Sequence, residues 1–235
     1  MEHTTMLGGN LWIWVIFIGF MILGWLVSHQ LKSRFAKYSK IQTDNGMTGR
    51  DVVEKMLRDN GITGVKIGSV DGQLTDHYNP VNKTINLSKE VYYGNSIAAA
   101  AVAAHECGHA VQHAKAYSML KLRSALVPVV MFASHWVQWI LLAGILLVNT
   151  FPQLLLAGII LFGLMTLFSF VTLPVEIDAS HRALAWLRNS GITNYQTQGY
   201  AFDALKWAAY TYVIAALSSL ATLLYYIMIY MGRRD

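Results

Sequence analysis

Four long stretches without a formal charge constrain this chain more than any other feature. Residues 11–27 (LWIWVIFIGFMILGWLV), 125–148, 154–173 and 210–231 contain no Asp, Glu, Lys or Arg. At about 1.5 Å rise per residue, the shortest just crosses a hydrocarbon core of about 30 Å. A single such stretch could be a buried core helix, but four in 235 residues predict a polytopic membrane protein. The rest of the composition agrees. Hydrophobic residues make up 54% and charged residues 13%, against about 25% charged in ordinary globular chains. Disordered chains, collagen-like fibres and nucleic-acid-binding arms are excluded on these grounds. Trp12, Trp14, Trp25, Tyr210, Tyr212 and Tyr230 fall where interfacial aromatic belts are expected. The first stretch reads as a retained anchor rather than a signal peptide, because its leader carries Glu2 and no Lys or Arg.

The distribution of charge sets the expected orientation. Four crossings put 28–124 and 174–209 on one side. Thirteen of the 18 Lys and Arg residues lie in the first of these loops and three in the second; only Arg233 and Arg234 lie opposite. Under the positive-inside rule both loops face the cytoplasm, which implies a multi-pass membrane protein with its loops inside. Lys32, Arg34, Lys37 and Lys40 follow the first span directly, and anionic lipid headgroups account for them. No zinc finger, Gly-rich phosphate loop or aromatic–basic ladder accompanies the basic residues, so no nucleic-acid partner is expected. The expected division is 1–28 (leader and first span), 29–123 (a domain with short strands), 124–173 (second and third spans), 174–209 (a helical loop) and 210–235 (last span and tail). One cysteine, Cys107, precludes an intrachain disulfide.

Soluble-domain texture is confined to 44–123. Residues 47–60 place Val52, Val53, Met56 and Leu57 at helical spacing, with Thr48 and Asp51 as a capping pair and Gly61 just past the end. Residues 65–70 alternate as a strand, and Asp71-Gly72 predicts a hairpin turn after it. Residues 74–79 and 84–87 are expected as further short strands, and an Ala-rich helix is expected over 96–116.

That helix carries His105-Glu106-Cys107-Gly108-His109. Residues i and i+4 share a helix face, so His105 and His109 can offer imidazole nitrogens to one ion. Glu106, rotated by about 100°, stands beside the ion, where it can polarise a zinc-bound water and pass its proton to a leaving amine. Chance alone would put this pattern in about 0.6% of chains of this composition, so the motif indicates zinc hydrolysis with one Zn2+. His113 stands about 12 Å along the helix from His105, too far to share the ion. The cluster Glu176, Asp178 and His181, directly after the third span, offers the third ligand. Glu176 is the expected ligand. Asp178 either anchors a ligating histidine or is the alternative ligand, and His181 is a candidate to steady an oxyanion. Ser134, His135 and Gln138 share one face of the second span, for which interhelical hydrogen bonds are the commoner reason. Cys107 points off the ligand face and reads as a small packing residue.

At these positions the chain resembles the YugP-like neutral zinc metallopeptidase family of bacterial membranes. The matching text is 74–80 (LTDHYNP), 103–112 (AAHECGHAVQ), 122–128 (LRSALVP) and 173–185 (LPVEIDASHRALA), with Tyr212-Val213 in the last span. The resemblance implies a zinc-dependent endopeptidase with His105, His109 and Glu176 as ligands and Glu106 as base. A larger membrane group has an Asp four residues beyond its Glu ligand; here that position is Ser180. The expected fold is thus a mainly α-helical protein of about four transmembrane helices with a small α+β zincin-like metallopeptidase domain. Its expected substrates are membrane-associated or misfolded proteins. Residues 74–79, with His77 and Tyr78, are the expected edge strand for an extended peptide. Two other readings stand beside this one. An intramembrane site-2-type protease would need the motif in a spanning helix and a downstream Asp-Gly, whereas the chain's Asp71-Gly72 lies upstream. A non-catalytic scaffold with structural zinc would have no use for Glu106. The sequence leaves the oligomeric state open.

Overall fold

The computed structural model describes the backbone of residues 3–232 and the side chains from Trp14 to Gly232. Glu2, the Trp12 side chain, Arg233 and Arg234, which enter the sequence argument above, lie outside the described residues. The chain is mostly helical, with the order α1 (His3–Tyr38), α2 (Gly49–Asp59), β1 (Lys66–Val70), β2 (His77–Asn79), β3 (Thr84–Ser88), α3 (Lys89–Tyr92), α4 (Ile97–Ala114), α5 (Ser118–Leu146), α6 (Pro152–Asn189) and α7 (Tyr195–Met231). Among the described residues, α1, α5, α6 and α7 are long and apolar enough to cross a membrane. All four begin before their charge-free stretches, and α5 ends at Leu146, short of the end of its own. Pro174 does not interrupt α6, which runs through it from one compact unit into the other.

The first unit comprises residues 1–26, 122–173 and 211–235. In it α5 and α6 pack closely through small residues. A Cβ on Gly144 would lie 2.6 Å from the Leu155 Cα. Val137 and Leu141 meet Leu155 and Ile159 there, joined by Leu223 and Tyr226 of α7. Much of the remaining helix surface is exposed and apolar, as expected where lipid is the solvent.

The second unit comprises 27–121 and 174–210, so the two loops between the long helices fold as one body. Its core is built on α4, whose alanines let α2, β3, α6 and α7 approach. The Ser96 Oγ caps α4 by accepting from the Ala99 N–H at 3.2 Å. Two bonds, Tyr117 N–H to Gln112 O and Ala116 N–H to His113 O, close its C-terminus around Ala116 at φ +53°. Helix α2 shows the predicted capping box between Thr48 and Asp51, and Gly61 takes the left-handed position after it at φ +66°.

The sheet corrects one expectation. No hairpin follows β1 at Asp71-Gly72. The strand order is β1-β3-β2, with β1 parallel to β3 and β2 antiparallel to it. The hairpin instead joins β2 to β3 through 80–83, where Asn79 Oδ1 accepts from the Val81 and Asn82 N–H groups. Gly72 does turn the chain, at φ +100°, but Leu74 at φ +56° breaks any strand there, so β2 starts only at His77. Asp76 then pins the segment by accepting from the Ser88 N–H at 2.7 Å. Burial raises the Asp76 carboxyl above the ordinary range, which the Ser88 hydrogen bonds counter in part.

Candidate metal centre

Helix α4 presents His105 and His109 on one face, and α6 brings Glu176 against them. Ligand atoms of these three side chains all lie within 4.8 Å of one another. The Glu176 Oε2 is 3.3 Å from His105 Nε2 and 3.6 Å from His109 Nε2. Two ligands at about 2.05 Å from a tetrahedral zinc stand about 3.3 Å apart, so the donor set and its spacing suit that ion. Gly108 makes this approach feasible. A Cβ at 108 would lie 2.7 Å from the Ala179 carbonyl oxygen, so only glycine lets the α4 and α6 backbones meet here.

Electrostatics tie the three side chains together. Burial pushes the Glu176 carboxyl up, but the His105 and His109 imidazoles more than offset this and hold it well below the usual carboxylate range. Burial depresses His109 in turn, while Glu176 and the Glu106 charge outweigh that and raise it. A carboxylate this deeply buried needs positive charge beside it, whether from a proton shared with the imidazoles or from a cation.

The other imidazole nitrogens are held from behind. His109 Nδ1 lies 3.0 Å from Gln112 Oε1. Gln112 is fully buried and its Nε2 donates to the Val175 carbonyl at 2.7 Å and to Asp178 Oδ2 at 2.8 Å. Because a carbonyl only accepts, the amide orientation is fixed and Oε1 must face His109. The His109 proton therefore sits on Nδ1, leaving Nε2 free to ligate. His105 Nδ1 is 3.1 Å from Ser180 Oγ. Asp178 also accepts from Arg182 Nε at 2.6 Å. Burial pushes its carboxyl up, but these bonds outweigh that and lower it. Asp178 thus acts on His109 through Gln112 and lies outside the three-residue cluster. The i, i+3 spacing of His109 and Gln112 is the sequence signal for this link, and it lies outside the H-E-x-x-H pattern.

Glu106 is buried beside the cluster, and its Oε2 accepts from the backbone N–H of Tyr78 at 3.0 Å. The N–H comes from β2, one of the two edge strands. The Tyr78 hydroxyl lies 2.7 Å from His113 Nδ1. His77 is exposed, and its ring faces Thr75 O and Asn86 Nδ2, so it joins neither Glu106 nor the ligands. His181 is also exposed. Five residues beyond Glu176, it is turned about 140° around α6 from the cluster. Cys107 is fully buried in the α4 core, where desolvation raises its thiol.

A buried and a half-buried imidazole and one buried carboxylate at zinc-ligand spacing, with a second carboxylate alongside, suit a zinc hydrolase, and sequence comparison places the chain accordingly. Residues 13–231 match the profile of the family described as "Putative neutral zinc metallopeptidase", and the chain belongs to that family. A curated relative, the "Putative membrane protease YugP" of Bacillus subtilis (strain 168), is 42% identical over 213 residues, covering 91% of this chain and 94% of the relative. No solved structure matches significantly.

Proposed function

We propose that this protein is a membrane-embedded zinc endopeptidase that hydrolyses peptide bonds of membrane-associated or misfolded proteins at the cytoplasmic surface of a bacterial membrane. The observation that carries this reading is the Glu106 carboxylate beside His105, His109 and Glu176. Three protein ligands leave a coordination position open, whereas a structural site would be closed by a fourth. One zinc ion held there would supply Lewis-acid polarisation of the scissile carbonyl and of the attacking water.

The chain's own residues supply the rest. His105 and His109 bind through Nε2, with Ser180 and Gln112 fixing their rings. Glu106 takes the proton from water on a carboxylate oxygen and delivers it to the departing amine nitrogen. The Tyr78 N–H holds that carboxylate in place. Strand β2 is the edge along which an extended peptide would lie, so Tyr78 belongs to both the base and the substrate path. Lys and Arg enrichment in 28–124 and 174–209 supports a cytoplasmic site.

The test is Glu106→Gln in the purified full chain. Zinc content should stay near one ion per chain while cleavage of casein falls by at least about 1,000-fold, the scale of losing a general base together with its proton delivery. Wild-type protein that binds zinc but cleaves neither casein nor itself would point to a non-catalytic zinc scaffold instead.

A further inference from the structure

Polar side chains in the middle of α5 are exposed. The packed face of α5 runs through Ala133, Val137 and Leu141, all buried. About 120° around the helix lies a second stripe of Met131, His135, Gln138 and Leu142, all exposed, with Ser134 at its margin. Ser134 Oγ and His135 Nδ1 each bond the Met131 carbonyl. The Gln138 amide makes no hydrogen bond among the described residues. These side chains therefore do not form the interhelical bonds within the chain that the sequence suggested for this face.

Depth makes the Gln138 amide costly. It lies eight residues before the end of α5 at Leu146 and 15 after Arg123, the nearest charge, which at 1.5 Å per residue is about 12 Å and about 22 Å. In a hydrocarbon core of about 30 Å, a side chain as short as glutamine cannot reach either headgroup region from there. An unpaired amide in hydrocarbon is strongly unfavourable, so a partner on another helix is required.

We propose that this stripe of α5 is a self-association surface, occupied by α5 of a second copy of the chain. The chemistry is self-complementary. A glutamine amide offers both a donor and an acceptor, so Gln138 can pair with its own copy across a two-fold axis normal to the membrane. His135 adds to the match. Its Nδ1 donates to the Met131 carbonyl, so in the neutral ring Nε2 is the acceptor, one turn from Gln138. The second amide N–H of Gln138 can reach His135 of the partner subunit, and the reciprocal bond forms by symmetry. Met131 and Leu142 cover the ends of the pair with apolar contact. No third component is needed to satisfy these groups.

The test uses the full chain reconstituted in phosphatidylcholine–phosphatidylglycerol vesicles. Single Met131→Cys and Leu142→Cys variants, which keep Gln138, should form disulfide-linked dimers under diamide. Trp136→Cys, exposed at similar depth but turned about 160° from Gln138, should not. The native Cys107 is buried and supplies the background control. Energy transfer between two differently tagged copies should report a dimer whose dissociation constant in lipid rises about three- to thirty-fold in Gln138→Leu, the range measured for hydrogen bonds between membrane helices, with no change in Trp136→Leu. The proposal fails if wild-type protein stays monomeric across the dilution series, which would leave water or a substrate's helix as the occupant. Equal cross-linking from Trp136→Cys, or undiminished association of Gln138→Leu, would overturn it as well.

Discussion

Gly108 and Ala179 meet backbone to backbone, and the spacing of the candidate metal ligands depends on that contact. With 2.7 Å between a Cβ at 108 and the Ala179 carbonyl oxygen, α4 and α6 can come no closer unless position 108 is glycine. Glu176 lies three residues before Ala179 on α6 and His109 one after Gly108, so any separation of the helices is transmitted directly to the ligand triangle. Gly108→Ala should therefore weaken zinc binding by at least about tenfold and destabilise the second unit by about 1–3 kcal/mol, the usual range for an overpacked core. Zinc titration and thermal unfolding of the same preparation check both; unchanged affinity would show that α6 can shift without cost.

Gln112 should act on zinc through His109 alone. Gln112→Leu preserves bulk while removing the acceptor that fixes the Nδ1 proton. The expected loss is about 10–100-fold in zinc affinity. The visible spectrum of the cobalt-substituted protein should shift too, a readout that a purely packing role would leave unmoved.

Glu176 and Asp178 should separate cleanly. Glu176→Ala removes a donor from the cluster and should abolish stoichiometric zinc. Asp178→Ala should keep zinc at one ion per chain with affinity reduced by about tenfold, because among the described residues its hydrogen bonds go to Gln112 and Arg182 and not to the three-residue cluster. Metal analysis after dialysis decides, and loss of zinc in Asp178→Ala alone would reverse the assignment.

Asp51 gives a pH signature remote from the metal. Hydrogen bonds from the Thr48 hydroxyl and backbone N–H hold its carboxyl below the ordinary value, against a smaller opposing effect of burial. A depressed carboxyl contributes stability that is fully present above its unfolded pKa of about 3.9 and is lost as pH falls through the folded value. Protection of the Val52 and Val53 amides, taken relative to their intrinsic exchange rates at each pH, should accordingly fall below about pH 4 in wild type, and much less so in Asp51→Asn. Thr48→Ala should cost about 1 kcal/mol at neutral pH.

Cys107 should be chemically silent. Its side chain is fully buried and burial raises the thiol, so little thiolate forms. Maleimide labelling of the folded protein should be at least about 100-fold slower than in denaturant, and Cys107→Ala should retain zinc at one ion per chain.

What could be read along the chain was whatever short-range periodicity encodes. Four charge-free stretches predict long apolar helices, because a backbone in hydrocarbon must satisfy its hydrogen bonds within one helix. The i, i+4 spacing of His105 and His109 places them on one face whatever surrounds the helix. The Thr48–Asp51 box and Gly61 mark the ends of α2 for the same local reason. Pairing across the chain was not legible in this way. Asp71-Gly72 has the residues of a hairpin turn, yet β1 pairs in parallel with β3 and not with the segment that follows the turn. His77 and His181 are residues of the right type on elements that supply Tyr78 and Glu176 to the cluster, but strand alternation and helix rotation turn their rings away from it.

The sequence alone therefore determined the apolar helices, the motif helix and the kind of chemistry its residues can perform, since each rests on interactions spanning no more than a few turns. Only the tertiary structure decided that Gln112 orients His109, that Asp178 acts through it, that a backbone N–H of β2 holds Glu106, and that Gln138 faces outward. Those outcomes depend on how helices and strands far apart in the chain come to pack. Side-chain direction at a contact is fixed by the partner surface, which no local spacing specifies.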